Sequence, residues 1–123
     1  MAHNILVVDD STAIRKILIR VLRQTGLTID EIFEARDGVE ALEIVRNHPL
    51  QLVLSDINMP NMDGLGLLAE LKADAQWRHL PVVMITTEGS AEKVSQAIRL
   101  GSAGYIRKPF TAEQIQEKIG ALL

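Results

Sequence analysis

The chain has 123 residues, 47% of them apolar and 24% charged, with a net charge of −3 and no cysteine. That length gives one globular domain able to bury roughly two-thirds of its unfolded surface. The charge gives no electrostatic case for nucleic acid or an anionic membrane, and the missing cysteines exclude disulfides, thiolate nucleophiles and Cys-based zinc sites.

In chain order, short apolar runs alternate with helical patterns. The first run, 5–8, precedes a stripe of Ile14, Ile17, Leu18, Val21 and Leu22 at helical spacing, with Gly26 as its C-terminal glycine. Arg15, Lys16, Arg20 and Arg23 give that helix a basic face, read as solvated or as a docking face for a protein partner, and Ile19 falls off the apolar stripe. A second run, Ile29–Ala35, leads to a helix carrying Val39, Ala41, Leu42 and Val45 and stopped by Pro49. The third run, Leu52–Ser55, is followed by Asp56, and Leu65, Leu68 and Leu71 mark a helix after Asp63 and Gly64. Val82–Thr86 comes next, with Val94, Ala97 and Ile98 on a helix ended by Gly101. Gly104–Arg107 precedes a last helix with Ile115, Ile119 and Leu122, opened by the capping-box pair Thr111 and Gln114.

Five strands alternating with five helices predict right-handed βαβ units and a parallel sheet covered on both faces. The first, third and fourth runs are uniformly apolar, as central strands are. The second and fifth carry charges, as edge strands do. No linker or repeat is present, so a single domain over 1–123 is expected, with no effector domain attached. The longest aliphatic runs have four residues, too short for a signal-peptide core or a membrane span, and a cytoplasmic protein is expected.

Ligands of open α/β sheets bind beyond the carboxyl ends of the strands. Those ends read Asp9-Asp10, Asp56, Thr86-Thr87 and Lys108-Pro109, so three carboxylates, a hydroxyl and an ammonium converge on one edge. Clustered carboxylates repel one another unless a cation joins them, and a hard divalent ion such as Mg²⁺ suits oxygen donors. Three negative charges, one Mg²⁺ and one lysine sum to zero, an arrangement suited to phosphoryl transfer with an Asp56 oxygen as nucleophile. Two other readings fail. As a calcium loop, the segment from Asp56 has Asn61 where an EF-hand needs glycine. As a haloacid-dehalogenase phosphatase, it has Asn58 where a second aspartate belongs. There is no phosphate-binding loop of the G-x-x-x-x-G-K-[ST] type. His3, His48 and His79 lack ligand spacing, and Trp77 reads as packing at a helix end.

Asp9-Asp10, Asp56 with the following INMPNMDG, PVVMITTE and GYIRKPF together resemble the receiver domain of two-component response regulators, and most of all the stand-alone, CheY-like chemotaxis regulators. The resemblance implies a doubly wound, flavodoxin-like (βα)₅ fold with strand order 2-1-3-4-5. It implies that Asp56 accepts a phosphoryl group from a sensor histidine kinase or phosphotransfer protein. It further implies that Asp10, Asp56 and the Asn58 backbone carbonyl ligate Mg²⁺, with Asp9 acting through water. Thr86 and Tyr105 would be the switch pair, Lys108 would contact the phosphoryl group, and the Lys108–Pro109 bond would be cis. Asn58, Thr87 and Glu88 would tune the phosphorylated lifetime. The output would be a protein docked on the face formed by the fourth helix, fifth strand and fifth helix. A monomer that catalyses only its own phosphorylation and dephosphorylation is implied. A phosphorelay carrier or phosphate sink is the alternative.

Overall fold

A computed structural model describes residues 3–87 and 91–123. Strands β1 (His3–Val8), β2 (Ile29–Ala35), β3 (Leu52–Ser55), β4 (Val82–Thr86) and β5 (Gly104–Arg107) alternate with helices α1 (Thr12–Gln24), α2 (Gly38–Asn47), α3 (Gly64–Ala73), α4 (Ala91–Arg99) and α5 (Ala112–Gly120). The strands form one parallel sheet in the order β2-β1-β3-β4-β5. The expected fold and order are both found. β1 begins earlier than the apolar run 5–8, because His3 pairs with Ile29 ahead of a register shift, and the Asn4 side chain caps the edge by donating to the Pro49 carbonyl.

The pleat divides the core in two. Leu6, Val8, Val53, Val82 and Met84 face α2, α3 and α4, whereas Ile5, Val7, Leu52, Leu54, Val83 and Ile85 face α1 and α5. Both sets are sealed from solvent, which is why the central strands are apolar without alternation. Each fully buried aliphatic side chain contributes about 1.5–3 kcal/mol. α1, α2, α3 and α5 are pinned at their starts by side chains: Ser11, Asp37, Asp63 and Thr111 each accept from the backbone N–H three residues on, and Thr111 with Gln114 closes the expected capping box. Gly26 and Gly101 take φ of 80° and 99°, the left-handed turn that glycine makes without a steric penalty.

Helical periodicity marked the apolar stripes better than their edges. Ile17, Val39 and Ile98, all expected on core stripes, are 43%, 53% and 63% exposed, while Ile19, expected off the stripe, is half-buried. In α3, Leu67 joins Leu68 and Leu71 inside, and Leu65 is only partly covered. The larger correction is Arg15. It is buried rather than part of a solvated basic face, because it lies three and seven residues before the core positions Leu18 and Leu22. Of the histidines, His48 stacks on Phe33 with ring centroids 4.3 Å apart, and Trp77 packs against the core as expected. Among the described residues, no helix is long and apolar enough to cross a membrane.

Candidate functional site

The carboxyl end of the sheet is built by backbone bonds that continue the ladders one residue further. Asp9 N–H donates to the Ala35 carbonyl at 3.1 Å, and Asp56 N–H donates to the Val8 carbonyl at 2.9 Å. These bonds set the two aspartates side by side. On the far side, Lys108 N–H donates to the Thr86 carbonyl at 3.0 Å, and the Lys108–Pro109 bond is cis. Lys108 then crosses the sheet edge: its Nζ lies 2.7 Å from Asp9 Oδ2 and 3.4 Å from Asp56 Oδ2. The three side chains are 12%, 3% and 12% exposed, so this ion pair works where water screens it weakly.

Asp9, Asp10 and Asp56 bring carboxylate oxygens within 4.8 Å of one another. Their environments differ. Asp9 is buried and both its oxygens are engaged, Oδ1 by the Ser11 N–H at 2.9 Å and Oδ2 by Lys108. Asp56 Oδ1 accepts from the Ile57 N–H at 2.7 Å. Asp10 is exposed, and among the described residues no hydrogen bond or ion pair engages its carboxylate. Three hard oxygen donors with one cation already beside them suit a divalent ion that keeps some of its waters, such as Mg²⁺.

Two residues that the sequence marked only as a basic face and a helix start hold this edge together. Arg15 donates from Nη1 to the Asp9 carbonyl at 2.6 Å, from Nε to Glu34 Oε1 at 3.0 Å and from Nη2 to Thr12 Oγ1 at 3.1 Å. It thereby fixes the β1–α1 turn from beneath. Its place on the Leu18 and Leu22 stripe was the available signal. Lys16, foremost, and Arg15 hold the Glu34 carboxyl below the ordinary carboxylate range, against the opposing effect of burial. Gly64 is the second. Its N–H donates to the Ile57 carbonyl at 2.8 Å, and a Cβ there would collide with the Asp56 carbonyl oxygen and lie 2.9 Å from Ile57 Cα. Only glycine lets α3 begin so close behind Asp56. Nearby, Asp37 caps α2, and the Glu40 N–H and the Asn61 side chain hold its carboxyl below the ordinary range.

The remaining expected residues fall around this centre. Thr86 is fully buried at the end of β4 and pairs in register with Arg107, while Tyr105 pairs with Met84 and packs, half-buried, on the α2–α3–α4 side. Paired residues of a parallel ladder share a face, so Thr86 and Tyr105 project from the same side of the sheet, one strand apart. Thr87 and Asn58 are exposed at the rim, and Lys93 of α4 donates to Asn58 Oδ1 at 2.9 Å. Glu88 lies outside the described residues.

The profile of the response regulator receiver domain matches residues 5–120. The chain belongs to the response regulator receiver family. Among the receivers it is similar to, chemotaxis protein CheY-3 of Vibrio cholerae serotype O1 is 42% identical over 115 residues, which cover 94% of this chain and 87% of that one. Chemotaxis protein CheY of Pseudomonas aeruginosa is 40% identical over the same length, covering 94% and 91%. The solved structure of the Vibrio cholerae chemotaxis response regulator CheY4 superposes with a TM-score of 0.87 at 32% identity, covering 100% of both chains. The protein is therefore a CheY-like receiver, and phosphorylation on an aspartate is general for its family. Receivers of this type are signalling proteins, and the family binds Mg²⁺ at its acidic cluster, which here is Asp9, Asp10 and Asp56.

Proposed function

We propose that Asp56 is the phosphoacceptor of a chemotaxis-type receiver over residues 1–123, charged by a sensor histidine kinase or a phosphotransfer protein. The observation that carries this reading is the placement of Asp56 Oδ2 3.4 Å from Lys108 Nζ, within a cluster whose other carboxylates come from Asp9 and Asp10. A carboxylate oxygen of Asp56 bonds to phosphorus as the bond to the donor imidazole nitrogen breaks, and that electron pair returns to the imidazole. Asp10, Asp56 and the Asn58 backbone carbonyl are the residues to hold Mg²⁺, and Asp9, with both oxygens already engaged, acts through water. Bound there, the ion neutralises charge on the phosphoryl oxygens. Lys108 pairs with the same oxygens, leaving Asp9 part of its partner.

Thr86 and Tyr105 are the switch pair in this reading. The phosphoryl group draws the Thr86 hydroxyl toward the site, and Tyr105 follows into the space on their shared face. This biases a two-state equilibrium of the α4–β5–α5 surface, where the target protein docks. That surface carries a groove of about 670 Å³ lined by Tyr105, Arg107, Gln114, Lys118 and Leu122 among others. Thr87, Asn58 and Glu88 tune the lifetime from the rim. The protein acts as a monomer, and its only catalysis is on its own phosphorylation state.

The test is a pull-down from cell extract with wild type and Asp56→Ala, each with and without beryllofluoride and Mg²⁺. A target retained only by beryllofluoride-treated wild type supports the reading. Capture that ignores both beryllofluoride and the substitution contradicts it, and rapid phosphoryl transfer onward to a histidine phosphotransfer protein identifies a relay carrier instead.

A further inference from the structure

Lys93 is the third residue of α4, in the first helical turn, where the helix dipole disfavours a cation. Helix stability does not account for a lysine there. Its ammonium spans from α4 to the loop after β3 and donates to Asn58 Oδ1 at 2.9 Å, joining residues 35 positions apart in sequence. Asn58 stands two residues after Asp56, at the solvent-facing rim of the acidic cluster.

We infer that Lys93 is a positioning residue that lengthens the lifetime of the phosphorylated protein by holding the Asn58 amide. This rests on Asp56 being the phosphoacceptor. Loss of the phosphoryl group requires a water oxygen to bond to phosphorus in line as the Asp56 oxygen–phosphorus bond breaks. The electron pair returns to the carboxylate, inorganic phosphate departs and the water's proton passes to solvent. A rim amide assists when its oxygen accepts a hydrogen bond from that water and aims it. In Asn58 that oxygen is the atom bonded to Lys93, so its lone pairs are drawn toward α4 and the amide is fixed in one orientation. The same bond ties the start of α4 to the rim, so a change in α4 reaches the lifetime through Lys93 as well as through Thr86.

The experiment uses the full chain, phosphorylated with acetyl phosphate and Mg²⁺ and then freed of donor, with loss of the adduct followed by intact mass. Lys93→Met should lose the group about fivefold faster than wild type, the rate equivalent of one hydrogen bond of ordinary net strength. Lys93→Arg, which can still donate to Asn58, should restore the slow rate, and a merely structural lysine would give no such rescue. In an Asn58→Ala background, Lys93→Met should change nothing further. An unchanged or slower rate in Lys93→Met, or the same acceleration with Asn58 already removed, overturns the inference alone. Absence of any adduct on wild type overturns instead the assignment of Asp56, and the inference falls with it.

Discussion

Asp10→Asn should stabilise the metal-free protein while removing its response to Mg²⁺. The substitution keeps the shape and deletes one charge. Oxygens of Asp10 lie within 4.8 Å of those of Asp9 and Asp56. Like charges at that distance repel by about 1 kcal/mol in water and about 3.5 kcal/mol at an effective dielectric of about 20. Asp10 is exposed, so the lower figure governs, and Lys108 is committed to Asp9 and Asp56 rather than to Asp10. Relief of two such repulsions gives about 1–2 kcal/mol, which raises the midpoint of thermal unfolding by roughly 5 °C for a domain of this size. Wild type gains about 2.7 kcal/mol at a Mg²⁺ concentration near 100 times its dissociation constant, and Asp10→Asn should forfeit most of that gain. The order of stability therefore reverses between chelator and saturating Mg²⁺, which thermal denaturation followed by circular dichroism would read. A variant less stable than wild type in chelator, with an undiminished Mg²⁺ shift, would refute the electrostatic reasoning.

Three further outcomes follow from the supporting structure. Gly64→Ala should cost about 2–4 kcal/mol, because the added Cβ meets backbone of Asp56 and Ile57 that cannot move aside; a urea midpoint equal to wild type would contradict the close approach. Arg15→Met should cost about 2 kcal/mol, since the buried Asp9 carbonyl loses its donor while Glu34 keeps Lys16, and it should weaken Mg²⁺ binding by loosening the turn that carries Asp10. The carboxyls of Glu34, Asp37 and Glu40 are all held below their ordinary range, the last chiefly by the Arg36 side chain. Each therefore adds stability that is complete above the unfolded carboxylate range and is lost as pH falls through the lower folded value. Asp37→Asn, which keeps a capping side chain, should flatten the acid limb of a plot of denaturant midpoint against pH.

Much of this was legible because the sheet is parallel and fully covered. A strand buried on both faces must be apolar throughout, so the bounds of β3 and β4 stand in the composition itself, and Asp9, Asp10 and Asp56 announce themselves by ending such runs. Parallel pairing then forces those interruptions onto one edge, which is why a cluster could be inferred from residues so distant in sequence. The features that escaped depend on contacts rather than periodicity. Arg15 looks like one basic residue among several until the Asp9 carbonyl and Glu34 are brought above it. The span of Lys93 to Asn58 is fixed by how α4 sits beside the loop after β3, which no local pattern encodes. Ile17, Val39 and Ile98 share helical spacing with true core residues, yet are exposed, which spacing alone does not disclose. Gly64 was legible as a helix start but not as a space for Asp56, since the neighbour that needs the space is the backbone before it.

The central claim is that Asp56 accepts the phosphoryl group in a Mg²⁺-dependent reaction. Its most direct measurement is intact mass and peptide mapping of the purified protein after incubation with a small phosphodonor, with Mg²⁺ and with a chelator. The account predicts one phosphoryl group, carried by the peptide containing Asp56, absent with chelator and absent in Asp56→Asn. An adduct formed at the wild-type rate in Asp56→Asn, or one indifferent to Mg²⁺, would contradict it.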